Sequence, residues 1–282
     1  MMLIDFFMTR YIFFLFAYLW FYAAAAQNTI RFCSWNLQNF GKSKHDTTIA
    51  FIAKVLKDFD VAAIQEVVAG PGGAQAVARL HDALNRTGAQ WDYAVSDPTS
   101  STKSGKERYA FLWKTSRLKK KGLAFLERFY EAEIEREPFL ITFESEGKSF
   151  TLVNFHAVPK SKQPETEIKY LKCLPEMYPG HNLIFAGDFN CPESHTVFNP
   201  LKSMGYKSAL VKQKTTLRQT CIQDDCLASE YDNVFYHRDQ VIPVQSGIIP
   251  FYLQFGSVRD ARRLSDHLPV FFRFRLNPAP SE

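Results

Sequence analysis

The stretch NLIFAGDFNCPES, residues 182–194, decides how this chain is read. Leu183 to Ala186 form a short apolar run that closes on Gly187 and is followed by Asp188 and Asn190. Such a run reads as a buried strand that empties into a loop. Two explanations compete for the acid and the amide. Asp and Asn stabilise turns by bonding nearby backbone N–H groups. Alternatively, the strand is a rigid stem that presents two oxygen ligands to a hard metal ion. Taken alone, the segment favours the turn. The rest of the chain reverses that preference.

Working outward, TIRFCSWNL (29–37) and VAAIQE (61–66) read as strands, and the first ends in Asn36. TIAFIAKVLKDF (48–59) reads as an amphipathic helix with Ile49, Ile52, Ala53 and Leu56 on one face. AQAVARLHDALNRTG (74–88) is a second helix, with Val77, Leu80 and Leu84 inward and Gly88 as its stop. RYAFLW, PFLITFE and SFTLVNF follow as strands, then a helix near 164–174 and the strand of the opening stretch. A mostly irregular segment comes next, before the strands YDNVFY, QVIPVQ and HLPVFFRFR. Helices between strands in each half, with hairpin-like pairs, predict an α/β fold: two mixed sheets packed face to face with helices outside. That arrangement brings many strand ends to one rim.

Polar residues recur at those ends. Asn36 closes the first strand and Gln65-Glu66 the second; Glu107 precedes RYAFLW; His156 closes TLVNFH. Asp188 and Asn190 end the opening strand, Asp232 begins YDNVFY, and Asp266-His267 precede the last strand. Each alone is a solvated acid or a histidine with a backbone partner. Their repetition is harder to dismiss. Carboxylates gathered in one cleft raise each other's pKa unless a cation is present, and a Mg²⁺-type ion held by one or two of them removes that cost.

The ends of the chain and its charge bound the setting. Arg10, the run YIFFLFAYLWFYAAAA and Ala24-Ala25-Ala26 read as a secretory signal over residues 1–26, with a small-residue cleavage site. The apolar run is shorter than the ~20 residues a membrane span needs. The expectation is a secreted, extracellular or periplasmic protein with no membrane attachment after cleavage. Residues 27–282 then read as one domain, since no Pro/Gly/Ser-rich linker or repeat interrupts them. A net charge of +5 permits a polyanionic partner without requiring one. Lys119–Lys121 read as a solvated turn. Five cysteines leave at least one unpaired. Cys221 and Cys226 are the best candidate pair in an exported chain; Cys33 and Cys173 read as buried thiols, and Cys191 stays open. The absence of any CxxC gives no support to a zinc or thioredoxin-type site.

SWNLQNFG, IQEV, KERYAFLW, EREP, LVNFHAVP, FAGDFN, EYDNVF and SDHLPV occur in this order along nearly the whole chain beyond the signal. With them the chain resembles the endonuclease/exonuclease/phosphatase superfamily and, within it, the pancreatic-type deoxyribonucleases. The resemblance implies a four-layer sandwich. It places Asn36, Glu66, Asp188, Asn190 and Asp266 around a metal ion and the scissile phosphate. It also implies a pair His267–Asp232 as general base, a pair His156–Glu107 as general acid, and Arg136, with Asn190, as a phosphate contact. The implied cofactor is Mg²⁺, with Mn²⁺ as an alternative. Structural Ca²⁺ is left open, because the family's calcium-loop spacings are not recognisable between Thr215 and Tyr231.

The implied activity is sequence-tolerant hydrolysis of DNA by a secreted monomer. A phosphatase or a sphingomyelinase-like phosphodiesterase on the same scaffold is the alternative, and a catalytically silent binding module a third reading. His156 argues against the abasic-site branch, which lacks it. The chain also departs from the vertebrate enzymes of the branch it resembles: Gln38 and Val68 stand where they carry arginines, and Gly105 where they carry a tyrosine that contacts DNA. Arg259, Arg262 and Arg263 read either as replacements for the lost phosphate contacts or as a solvated loop.

Overall fold

The structure, a computed structural model, describes residues 29–101 and 105–277. The signal expected at residues 1–26 lies outside the described residues. Two six-stranded sheets form the centre. In the first, β1 (Ile30–Phe40) and β2 (Val61–Val68) run parallel. Around them lie the antiparallel strands β3 (Trp91–Val95), β4 (Glu107–Lys114), β13 (Val241–Ile248) and β14 (Val270–Leu276), in the order β13-β14-β1-β2-β4-β3. In the second, β7 (Lys148–His156) and β8 (Leu183–Asp188) are the parallel pair. Its other members are β5 (Lys119–Leu126), β6 (Phe139–Ser145), β9 (Tyr206–Ser208) and β12 (Asp232–His237), in the order β5-β6-β7-β8-β12-β9.

The two inner faces meet through aromatic rings: Phe111 stacks on Phe139 at 5.4 Å, and Phe150 meets Phe274 edge-on at 5.6 Å. Interdigitated rings of this kind are the bulk of the inter-sheet core. On the outer face of the first sheet pack α1 (Asp46–Leu56) and α2 (Pro71–Asn85), which bury the faces read from their spacing: Ile49, Ile52, Ala53, Leu56, and Val77, Leu80, Leu84. Short helices α3 (Glu165–Ile168), α4 (Leu174–Met177) and α5 (Asn199–Ser203) cover the second sheet, and α6 (Val258–Leu264) leads back to β14. This is the expected four-layer sandwich. Among the described residues no helix is long and apolar enough to cross a membrane.

Four local expectations are corrected. The helix near 164–174 is broken into α3, a 3₁₀ turn at Leu171–Cys173 and α4. Pro175 has no N–H to give Leu171, whose carbonyl instead takes the N–H of Leu174. The break leaves Cys173 half-buried, while Cys33 and Cys191 are buried free thiols. Lys119–Lys121 begin edge strand β5 rather than forming a turn, which is where lysines protect an unpaired edge. Trp91–Val95 adds a strand. Finally, the segment expected to be irregular holds a hairpin of β10 (Leu217–Ile222) and β11 (Asp225–Leu227), closed by the Cys221–Cys226 disulfide.

The topology explains why chemistry collects at one rim. β1, β2, β7 and β8 all end there, and the antiparallel β4, β12 and β14 begin there. Gly187 keeps the rim closed at β7/β8. It sits at φ +142°, and a Cβ would lie 1.8 Å from the Phe155 carbonyl oxygen. Any side chain would part the strands one residue before His156 and Asp188 come into register.

Candidate active site

Two histidines face one carboxylate oxygen. His156 Nε2 lies 3.4 Å and His267 Nε2 3.5 Å from Asp188 Oδ2. Each imidazole is held from behind at Nδ1. His156 Nδ1 is 2.9 Å from Glu107 Oε2 and 3.0 Å from Oε1, and His267 Nδ1 is 2.8 Å from Asp232 Oδ2. An Nδ1–H bonded to a carboxylate leaves Nε2 to exchange a proton with whatever sits between the rings. All five groups are buried.

The surroundings differ for the two pairs. Arg136 donates through Nη1 to Glu107 Oε2 at 3.2 Å and through Nη2 to the Ala157 carbonyl, while its buried Nε has no partner. Tyr109 donates to the Arg136 carbonyl and accepts the His156 N–H, fixing both loops. Beside the other pair, Thr215 donates its hydroxyl to Asp232 Oδ2 at 2.6 Å, and Asp232 Oδ1 is buried without a partner. Ser265 donates to the Asn36 carbonyl at 2.6 Å and accepts the His267 N–H at 3.0 Å. Trp35 Nε1 donates to the His267 carbonyl at 2.9 Å.

Burial opposes an imidazolium and Arg136 joins it, but the Glu107 charge together with hydrogen bonds to Asp188 and Glu107 raises His156 to about 9. Asp232 and Asp188 likewise outweigh burial at His267 and hold it well above the ordinary histidine value. Asp188 goes the other way: burial would raise it, yet His267 and His156 keep it ionised. Burial and the neighbouring Asp188 push Asp232 up. Anionic groups here outnumber what two imidazoles satisfy comfortably, and the open acceptor is Asp232 Oδ1.

Glu66 enters from β2 by a backbone irregularity. It sits at φ +58°, where the β2/β4 register shifts between Ile64 and Val67. Left-handed backbone at a non-glycine residue costs on the order of 1–3 kcal/mol, and the bulge turns this side chain into the cleft. Its Oε1 accepts from Asn36 Nδ2 at 2.9 Å and its Oε2 from the Asn39 N–H at 3.0 Å. The same Asn36 amide donates to Asp188 Oδ2 at 3.2 Å, while its oxygen accepts the Gln38 N–H. Asn36 is therefore a bridge between two carboxylates. Asn190, also left-handed, gives its N–H to Asp188 Oδ1 and its amide to the Ala157 carbonyl. Asp266 stands at the edge, its Oδ2 accepting from Arg262 at 3.2 Å. Glu66, Asp188, Asp232 and Asp266 offer hard oxygen donors and no thiolate, a set suited to Mg²⁺ or Mn²⁺ rather than a soft ion.

The family profile described as the Endonuclease/Exonuclease/phosphatase family matches residues 33–267, which includes both histidine pairs. The chain belongs to that family. A deoxyribonuclease of Thioalkalivibrio sp. (strain K90mix) is 30% identical over 277 residues, spanning 90% of this chain and 73% of that protein. Homo sapiens deoxyribonuclease gamma is 26% identical over 278 residues, 89% of this chain and 87% of that one. Among solved structures, an endonuclease/exonuclease/phosphatase family protein from Bacteroides thetaiotaomicron matches with a TM-score of 0.65 at 18% identity, covering 89% and 98% of the two chains. A mannosyl-6-phosphatase from Bacteroides thetaiotaomicron matches with a TM-score of 0.63 at 19% identity, covering 88% and 100%. These two likenesses support the fold.

Within the family frame, three departures acquire places. Gln38 is half-buried, Val68 is exposed beside the cleft and Gly105 is half-buried at its rim. Of the arginines expected to replace lost phosphate contacts, Arg262 is committed to the Leu217 carbonyl and to Asp266. Arg263 is exposed and pairs with Asp260 at 3.6 Å. Arg259, in the first turn of α6, is exposed to solvent.

Several supports carry no such signal in the sequence. Lys44 is buried, and its ammonium donates to the carbonyls of Leu264 and Arg263 at the end of α6, just ahead of Ser265. Burial lowers it to about 8, with Glu66 and Asp266 opposing. Glu167, also buried, accepts the N–H groups of Glu135 at 2.7 Å and Val158 at 2.8 Å, and so joins the Arg136 and His156 loops. Neither residue stands at a strand end, so the pattern that found the others could not find these.

Proposed function

We propose that the chain is an exported, divalent-metal-dependent deoxyribonuclease that hydrolyses DNA phosphodiesters with little sequence specificity. Hydrolysis of phosphodiesters is what the family membership and the deoxyribonuclease-named relatives support. The observation that carries the mechanism is the convergence of His156 Nε2 and His267 Nε2 on Asp188 Oδ2. A phosphate lying there has one imidazole on each side. His267 Nε2 takes the proton of a water whose oxygen attacks phosphorus, and Asp232 steadies the imidazolium that forms. His156 Nε2 gives its proton to the departing oxygen, leaving a 3′-hydroxyl and a 5′-phosphate. Arg136, joined to Glu107 and next to His156, neutralises charge on the phosphoryl oxygens.

Glu66, Asp188 and Asp266, with Asn36 and Asn190 as amide neighbours, would hold Mg²⁺. When bound, that cation relieves the crowded carboxylates, lowers the proton affinity of the nearby imidazoles and offsets the phosphate charge.

Nicking of supercoiled plasmid tests the reading. Wild type with Mg²⁺ is expected to nick, EDTA to abolish nicking, and Glu66→Gln to shift the Mg²⁺ titration to higher concentration. A titration curve unchanged in Glu66→Gln would remove Glu66 from the ligand set. Hydrolysis of p-nitrophenyl phosphate without any nicking would favour a phosphatase instead.

A further inference from the structure

A cavity of about 480 Å³ opens beside the His156–Glu107 pair. Glu66, Glu107 and Arg136 line it together with Asn39, Val68, Gly105 and Lys106. Its volume lies in the range of small-ligand sites. Glu66, Glu107 and Arg136 belong to the active site, so a group joined to a phosphate held there lies beside the cavity.

The lining says what fits. Val68 is 37% exposed, an aliphatic side chain standing open inside a polar cleft. It is braced from behind, since a Cβ at Gly41 would lie 2.8 Å from Val68 Cγ2. Gly105 presents no side chain to the cavity; a Cβ there would lie 2.8 Å from Ser101 Oγ and 3.1 Å from Glu135 Oε1, both side-chain ends. The charged lining groups Glu66, Glu107 and Arg136 belong to the active site beside it; the Val68 and Gly105 walls neutralise no phosphate. They suit the flat apolar face of a base, with Asn39 and the exposed Lys106 at its edge.

Building on the deoxyribonuclease reading, we propose that this cavity is a subsite for one unstacked nucleobase adjacent to the scissile phosphate. A base in a duplex must leave its stack and its partner to enter a concave pocket. A base in a single strand has neither to give up in full. Val68 and Gly105 are then specificity-determining residues that shift the enzyme toward single-stranded or locally unpaired DNA.

The test uses one oligonucleotide sequence, single-stranded and annealed to its complement, with Mg²⁺. Val68→Arg fills the cavity with a cation at an exposed position, and Val68→Ala enlarges it; circular dichroism verifies that both are folded. Val68→Arg is expected to lower the single-strand to duplex ratio of kcat/KM about ten-fold, the order expected when one base loses the apolar surface it was buried against. Val68→Ala, which removes apolar surface without adding charge, is expected to lower that ratio less, by about three-fold. An unchanged ratio in Val68→Arg overturns the proposal. A second arm places a single abasic nucleotide at successive positions of the single strand. Wild type is expected to show a raised KM at one position near the cleavage point, absent in Val68→Arg. A flat scan with normal cleavage overturns the subsite alone. Cleavage of neither oligonucleotide by wild type overturns the nuclease reading beneath it.

Discussion

The two histidine pairs look alike at the imidazole and differ behind it. Glu107 uses both oxygens on His156 and shares one with Arg136, whose buried Nε is left without an acceptor. Asp232 uses one oxygen on His267 and Thr215, and its buried Oδ1 is left without a donor. One pair therefore carries a spare donor and the other a spare acceptor. A buried polar group without a partner is a cost of about 1–3 kcal/mol, and both costs fall at the reacting centre. The difference teaches that the apparent two-fold arrangement is chemically polar. The unused donor on the His156 side suits an anion, such as a phosphoryl oxygen. The unused acceptor on the His267 side suits a proton, a water or a cation.

The largest expected effect tests whether both sides are needed. His156→Ala and His267→Ala should each lower kcat on plasmid DNA by roughly 10²–10⁴-fold, with thermal unfolding little changed. Near-normal turnover by either variant would break the comparison, since one imidazole would then suffice.

A smaller effect separates the pairs by pH. Glu107 is the main group raising His156 to about 9. Glu107→Gln should lower that value, so that an acid at His156 loses its proton earlier and the basic limb of the kcat profile moves to lower pH. The stability sign agrees. A histidine raised from 6.5 to about 9 adds stability that is complete below about 6.5 and is lost as pH climbs toward 9. In metal-free wild type, thermal stability should thus decline over that window, and in Glu107→Gln the decline should shrink. A basic limb that stays in place would assign the proton donor elsewhere.

The smallest effect concerns the hairpin behind His267. Thr216 bridges His267, the Leu217 N–H donates to the Asp266 carbonyl, and the disulfide closes the same hairpin further out. Its loop is short, so replacing Cys221 and Cys226 by serine should cost about 2 kcal/mol on the chain-entropy view. Denaturant unfolding measures that cost. Activity should fall only modestly, and more through His267 than His156, which pH profiles would reveal. Unaltered stability would make the bond incidental to this side of the site.

Much of this was legible because the site lies at strand ends. Asn36, Glu66, His156 and Asp188 close apolar runs, and Glu107 and Asp232 open them, so a pattern of buried strands pointed to them in order. The faces of α1 and α2 were legible through helical spacing. Lys119–Lys121 misled because an edge strand has one unpaired side, and its lysines erase the alternation that marks an inner strand. The β10–β11 hairpin was hidden by its polarity; its turn at Gln223-Asp224 takes left-handed backbone without glycine. Lys44, Ser265, Thr215 and Glu167 act through bonds to backbone or to a second side chain far away in sequence. Those partners exist only once the sheets have packed.

The central claim is that both imidazoles address one phosphate. The most direct measurement follows the side-chain ¹⁵N resonances of His156 and His267, assigned with the two alanine variants, during titration of the Mg²⁺-loaded protein with a phosphorothioate dinucleotide that resists cleavage. The account predicts that the Nε2 signals of both histidines shift together, with a single dissociation constant, while each Nδ1 signal keeps the signature of a hydrogen bond to its carboxylate. A shift confined to one histidine, or two shifts with separate affinities, would contradict it.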